Sequence, residues 1–481
     1  MRLRIFLIIV ITIVCANADC FSQNEKQVAD SLYFLPNPTQ IDDQQAIQNY
    51  RLFLDKKEIN VIPEDYIQAA ERLGNLLSTY GNTDEAIQVY RQGIAKERAS
   101  EVSDTLLYAT HLYLGEALFA VSRLDSSVFH LQEAEKLQKQ IVSGKQPERL
   151  YNALGVYFYE TGNYLQSLSY FRQAENEVLG IGGDYEKYAL YSFLSNQASA
   201  LNHLDQFDSA QVIYLELLDW GINKNEILLN LANTHLEKIQ ANEALAVLGK
   251  LESPDSLQLI SLLNLQAKAF LLKGEKVLAQ ETLQELEPIL LSEKMTRNSL
   301  QKGIFWESRG KLAKQKGDSK AAVAHFHQAV VQLHPDFEEM DFWCTPRQNS
   351  LGMGAVSLFE LLVQKGQTAW EIYSSEGEEK WFTLGLDSYA AAFGLSNYIR
   401  LNFDTDESRI FLGDQVLMAY QDAMDQLIEI QKKSEDPELI KLAFEWAEES
   451  KAGALRLGGR LERIKKQSGI PANLLEEERR L

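Results

Sequence analysis

One pattern recurs along the middle of the chain with a period near 40 residues, and it constrains the fold more than any other feature. A small residue sits on a first segment of helix formers, at Gly74, Gly115, Gly155, Ala198, Ala232, Ala267 and Gly310. The intervals are 41, 40, 43, 34, 35 and 43 residues. A turn follows, written Gly81-Asn82, Gly162-Asn163 and Gly317-Asp318 in the plainest copies. A second segment then carries another small residue, at Ala86, Ser127, Ser167, Ala210, Ala244, Ala279 and Ala322. Four residues on comes a large apolar one: Tyr90, Leu131, Phe171, Tyr214, Leu248, Leu283 and Phe326. A spacing of four places both on one face of a helix. The small residues let neighbouring helices approach, and the large one fills the space between them. A single hairpin cannot bury its own apolar face, so the copies must stack. The expectation is an all-α solenoid, a right-handed superhelix of helical hairpins, preceded by a half-copy at Ala46, Tyr50 and Phe53.

Composition agrees. Only 10 prolines and 27 glycines punctuate 481 residues, too few turn formers for an all-β chain of this length. The hydrophobic fraction of 45% is that of a folded protein. There are 68 acidic and 47 basic residues, a formal charge of −21. Nucleic-acid binders need a basic footprint, so that class is excluded as a partner. Three cysteines make no disulfide framework.

These residues resemble the tetratricopeptide repeat (TPR), a unit of 34 residues that tolerates insertions between units. Seven copies fall within 65–335. The resemblance implies that the first helices line a concave groove for a protein or peptide partner. Its candidate positions are Asn75, Ser78, Glu116, Phe119, Val156 and Tyr159, continuing with Ser199, Asn202, Asn233, Lys268, Lys311 and Lys314. Chaperone-binding TPR domains grip a terminal carboxylate with Lys and Asn side chains. Here the early positions are Glu71, Asn75, Leu112 and Glu116, which do not make that clamp. The Lys268 to Lys314 stretch reads as basic, which suggests an apolar and acidic segment as ligand.

The N-terminus reads as an address. Met1 to Arg4 is basic, Ile5 to Val14 is apolar apart from Thr12, and Ala16-Asn17-Ala18 offers a small-x-small cleavage pattern. This is the order of a secretory signal peptide, assigned to 1–18, with cleavage after Ala18 or Ser22. Export to the periplasm or beyond is the expectation, and cleavage takes the charge to −23 through loss of Arg2 and Arg4. An extension at 19–64 holds the half-copy.

After Pro335 a loop is expected at 336–349, then two longer helical hairpins within 350–468. The stretch Asp406 to Leu412, the stretch Ala443 to Leu455, the Gly469-Ile470-Pro471 step and the acidic run to Arg479 resemble secreted bacterial CHAT proteins. In that family such a helical region precedes a caspase-like peptidase domain. Residues 469–481 would begin the helix that leads to it, and the sequence stops at Leu481, where that domain would start. The family's catalytic residues have no counterparts here. The alternative function is thus a sensor arm of a CHAT-type peptidase, with such a peptidase domain as partner. The primary expectation is a non-catalytic exported scaffold.

The remaining chemistry is sparse. His327 and His334 lie seven apart, with Glu338 and Asp341 near, but this is too few ligands to expect a metal. Cys344 stands in the loop without a histidine element beside it, so no nucleophile is assigned. Gly180 to Gly183 and Gly352 to Gly354 follow no strand and read as no phosphate loop. No cofactor is expected. Lys451 to Lys466 carries six basic residues against Glu462, and Arg456, Arg460 and Arg463 are candidates for docking an acidic partner.

Overall fold

The computed structural model describes residues 25–55, 62–98, 104–140, 146–292, 299–350, 352, 354–401, 403 and 406–450. Among them the regular structure is helix alone. No described helix is long and apolar enough to cross a membrane. The predicted signal segment and Arg456, Arg460 and Arg463 lie outside these residues.

The chain divides into two compact units, one up to Tyr157 and one from Phe158. The first holds α1 (25–33), α2 (Gln40–Leu54), α3 (Pro63–Thr79), α4 (Thr83–Arg98), α5 (Tyr108–Ala120), α6 (Leu124–Gln138) and most of α7 (Pro147–Glu160). The second begins with the last turn of α7. It continues through α8 (Tyr164–Val178), α9 (Gly183–His203), α10 (Phe207–Asp219), α11 (Lys224–Glu237), α12 (Ala241–Leu248) and α13 (Ser256–Leu272). Then come α14 (Lys276–Ser292), α15 (Leu300–Gln315), α16 (Ser319–Leu333), α17 (Ala355–Glu376), α18 (Glu379–Leu401), α19 (Asp406–Ser434) and α20 (437–450). The architecture is the expected all-α solenoid of hairpins.

The repeat pattern is a packing rule. The seven small residues of the second helices, from Ala86 to Ala322, are fully buried, and so are the seven large residues that follow four later. In three copies the large side chain lies directly over the small residue of its partner helix. A Cβ added to Gly74 would sit 2.3 Å from the Tyr90 ring, one on Gly115 2.7 Å from Leu131, and one on Gly310 2.4 Å from Phe326. Burying each such side chain contributes about 2 kcal/mol relative to leaving it in water.

The hairpin turns share one geometry. The second residue after each of these first helices takes a left-handed conformation, at Gly81, Ser122, Gly162, Asp205, Ile239, Gly274 and Gly317. The next amide then reaches back five residues, as in Asn82 N–H to Leu77 carbonyl at 2.8 Å and Asp318 N–H to Ala313 carbonyl at 3.0 Å. This bond closes the helix end and satisfies a carbonyl that would otherwise be orphaned. Glycine fits the position without strain. Ile239, β-branched at φ 60°, does not.

Capping fixes several starts. Thr39 and Asp42 form a reciprocal box at α2, and Asp255 and Gln258 do so at α13. Asn163 and Asp318 accept amides at α8 and α16.

The half-copy at Ala46, Tyr50 and Phe53 belongs to a complete hairpin. Helix α1 is its first arm: Ala29 is fully buried, Tyr33 meets Tyr50 edge-on, and Tyr50 donates to Asp30 at 2.7 Å. Sequence reasoning misses this arm because it lacks the Leu-Gly pair and is only nine residues long.

Residues 336–349 form no helix. A buried lysine ties this loop down. Lys365 of α17 is fully buried and donates to the Cys344 carbonyl at 2.7 Å and to His327 Nδ1 at 3.2 Å. His327 Nε2 then faces the Glu339 carbonyl at 2.8 Å and must carry the proton. His334 Nε2 holds the Gln348 carbonyl at 3.1 Å, while its Nδ1 accepts the Asp336 amide. The two histidines anchor the loop, and no group of metal-binding side chains forms around them among the described residues. Burial, above all, brings the Lys365 amine down to about 7 and, with the Lys365 charge, His327 down to about 4.

Candidate functional site: the inner wall of residues 158–401

In the unit from Phe158 the first arms of successive hairpins stand side by side: the end of α7, then α9, α11, α13, α15 and α17. Polar side chains join them rung by rung. The Tyr159 hydroxyl meets His203 Nε2 at 3.1 Å, linking α7 to α9. His203 stacks flat on Tyr164 with centroids 4.3 Å apart. Lys268 of α13 pairs with Glu237 of α11 at 2.8 Å. Gln364 of α17 donates to Glu307 of α15 at 3.1 Å, and Glu307 also holds Lys311 at 2.6 Å.

The series then closes on itself. The Gly354 amide, at the start of α17, donates to Glu160 at the end of α7 at 3.2 Å. Beside it Val356 covers Gly162 so closely that a Cβ there would lie 2.5 Å from its methyl. Residues 194 apart in sequence are thus in contact. Helix α19 also packs against α8. The six first arms therefore surround an inner wall.

The wall is wet but enclosed. His203, Glu237 and Glu360 are open to solvent. Even so, burial is the main influence on the acidity of His203 and Glu360. Both facts hold for a side chain on the side of a narrow concavity, where water reaches the tip and protein surrounds the rest. Burial lowers His203. Burial raises Glu160, against the pull of the Gly354 amide. Burial also pushes against Glu307, but the charge and hydrogen bond of Lys311, the Gln364 bond and Lys268 together bring it below its ordinary value. Glu360 feels the same lysine charges but has no hydrogen bond to add to them. Burial first, then the charges of Glu307 and Glu237, push it up to about 7 against the opposing pull of Lys311 and Lys268.

The sequence-predicted groove positions divide between the units. In the first, Asn75 donates to the Tyr33 hydroxyl of α1 at 2.8 Å, and Glu116 holds Arg149 through two bonds of 2.8 and 2.9 Å. Phe119 and Val156 are half-buried, as is Ser78. In the second, Tyr159, Lys268 and Lys311 are brought to the wall. Asn233, half-buried, lies one residue after Ala232, the same register as Lys268 and Lys311. Asn202 is buried and donates to Thr234 at 2.8 Å, a tie between α9 and α11. Ser199 shares a bond with the Tyr214 hydroxyl.

One expectation needs correction. The stretch from Lys268 to Lys314 reads as basic in sequence, yet Glu237, Glu307 and Glu371 take up its three wall lysines at 2.6–2.9 Å. Two of these carboxylates come from neighbouring arms. Sequence reasoning also missed Tyr164, His203, Glu237, Glu307 and Glu360. A signal was present: His203 and Glu237 each lie five residues after their helix's small residue, and Glu307 three before Gly310. Those offsets fall on one helical stripe with the lysines.

A more sharply bounded depression, about 470 Å³ in volume, lies in the first unit, lined by Gln44, Ile47, Gln48, Arg51, Tyr80 and Asn82. It gathers none of the coupled charges of the wall.

No family model matches the chain, and no curated protein matches it. Among solved structures it aligns with a tetratricopeptide repeat protein from Parabacteroides merdae at 13% identity and TM-score 0.43, covering 60% of this chain and 99% of that one. It aligns with Rap protein complexed with competence and sporulation factor at 15% identity and TM-score 0.43, covering 84% and 99%. A third alignment, to phAimR with its ligand, has 14% identity and TM-score 0.34, covering 61% and 90%. At these scores the likeness adds nothing to what the helices themselves establish.

Proposed function

We propose that the protein is an exported, non-catalytic scaffold that receives a segment of a protein partner along the inner wall of residues 158–401. The observation that supports this is the division of labour within each hairpin. The small and large residues of the repeat are buried between helices. The charged stripe of the first arms is left solvent-accessible at His203, Glu237 and Glu360. Polar groups held in place by neighbouring arms bind without first being ordered, which lowers the cost of association. Export is supported by the sequence of residues 1–18 alone. Fractionation should find the chain outside the cytoplasm, with a new N-terminus at Asp19 or Gln23; an intact Met1 end inside would refute export.

The test of the wall is position-specific crosslinking in the full chain. A photoreactive residue at Asn233 should capture a partner several-fold better than one at Val277, which is 70% exposed on a second arm. Equal capture from both sites would refute the wall as the binding face.

A second reading, the regulatory arm of a CHAT-type peptidase, is supported by the resemblance of residues 406–481. It predicts that a CHAT-type peptidase domain binds the chain, and that reversing the charges of Arg456, Arg460 and Arg463 weakens the pull-down. Unchanged binding would sink it.

A further inference from the structure

The ties that hold the wall together do not include Glu360. Lys268 and Lys311 are taken by Glu237 and Glu307, and Lys314 by Glu371. Glu160 accepts the Gly354 amide. Glu360, in the second turn of α17, has no hydrogen-bond or ion-pair partner among the described residues and is open to solvent. Around it lie the Glu307–Lys311 and Glu237–Lys268 pairs, each already near neutral as a whole. An exposed carboxylate without a partner, set beside the charges of Glu307 and Glu237, keeps the local potential negative. The chain as a whole is also strongly acidic. Tyr164, within electrostatic reach of Glu360, is itself buried beneath His203, which stacks flat on its ring.

Resting on the wall as the binding face, we infer that Glu360 anchors a lysine or arginine side chain of the bound segment, so that the wall selects basic and not acidic ligands. This reverses the ligand chemistry that the lysines alone suggest.

A pH dependence follows. The Glu360 carboxyl, pushed up to about 7, must be ionised to hold a cation, so binding should strengthen as pH rises from 6 to 8. Among the described residues, the other shifted groups on the wall move away from that window, except Glu160. His203 is lowered by burial, and Tyr159 and Tyr164 are raised by it. Glu307 is lowered and Lys311 raised, burial opposing both and their mutual pairing prevailing. Glu160, raised by burial, already accepts an amide.

The probe is a display library of random octapeptides panned against the full chain at pH 8. Lys or Arg should be enriched at one peptide position. The best peptide should bind Glu360→Gln about tenfold more weakly, an effect between that of an exposed and a buried ion pair. Its affinity for the wild type should rise several-fold between pH 6 and pH 8, and this rise should vanish in Glu360→Gln. Two results would overturn the anchor and leave the wall standing: selected peptides without a basic bias, or basic peptides that bind Glu360→Gln equally well. Absence of any enriched peptide, or enrichment indifferent to a bulky Asn233→Trp, would overturn the wall and the anchor together.

Discussion

The same register of first-arm positions is used differently in the two units. Up to Tyr157 the polar side chains at these positions lock neighbouring arms together. Asp30 of α1 gathers Tyr50, Lys26 and Arg72, with contacts of 2.5–2.9 Å. Glu116 clamps Arg149, which also lies over the Tyr113 ring at 4.7 Å. From Phe158 onward similar pairs form, but Glu360 stays unmatched and water-accessible. The contrast separates two uses of one repeat: polar residues that define the stack, and polar residues that the stack merely presents. Substitutions in the first group should cost stability, and substitutions in the second should cost binding.

The largest expected effect lies in a buried tie of the second unit, which shows that not all its polar groups are presented. Lys365→Ala leaves a cavity and strips two acceptors of their donor, a loss of about 3 kcal/mol by urea denaturation. The wild type carries a pH signature. With the folded amine near 7 and an ordinary lysine in the unfolded chain, unfolding takes up a proton between those values. Stability should therefore rise with pH above 7. The variant should lose that slope, and equal slopes would show that Lys365 is not the group responsible.

Next is Asp30→Ala in the first unit. It leaves Arg72 and Lys26 partly buried without their carboxylate, at a cost of about 2 kcal/mol once partial exposure is allowed for. Burial opposes ionisation of Asp30, but its bonds to Tyr50, Lys26 and Arg72 prevail and hold its pKa below the usual aspartate value. The stabilisation is present above the ordinary aspartate range and lost as pH falls through the lowered value. Acid titration of the fold should show this for the wild type and not for the variant. Crosslinking from Asn233 should be unchanged.

A matched pair of turn substitutions gives a smaller effect of opposite sign. Ile239→Gly should stabilise by about 1 kcal/mol, and Gly81→Ile should destabilise by about as much, because both turns need the left-handed conformation. Denaturation midpoints moving the same way in both would show that the turns are not equivalent. The smallest effect on stability is expected for Glu360→Gln, within about 0.5 kcal/mol at pH 8. A large loss there would move Glu360 into the group that defines the stack.

Much of the fold was legible in the chain because it rests on a local steric rule. Gly74 and Tyr90 are 16 residues apart, and helical periodicity is enough to predict that one accepts the other. The left-handed turns were legible where glycine marks them, at 81, 162 and 317, and hidden where Ser122, Asp205 and Ile239 take the same shape. The wall was legible only by halves. Lys268, Lys311 and Lys314 stand out in sequence, but the carboxylates of Glu237 and Glu371 reach two of them across arms 31 and 57 residues away. The meeting of Glu160 with Gly354 depends on how small rotations accumulate over five hairpins, and no local pattern encodes that sum.

That meeting has a mechanical consequence. A stack of hairpins joined only to their neighbours behaves as a spring, and its bore widens or narrows as small rotations add along its length. A clasp between the sixth first arm and the first turns this stretch of spring into a hoop. The bore is then set by the number of arms in the circuit and not by what lies inside it. The contact of Gly162 with Val356 is the joint at which such a hoop would have to part.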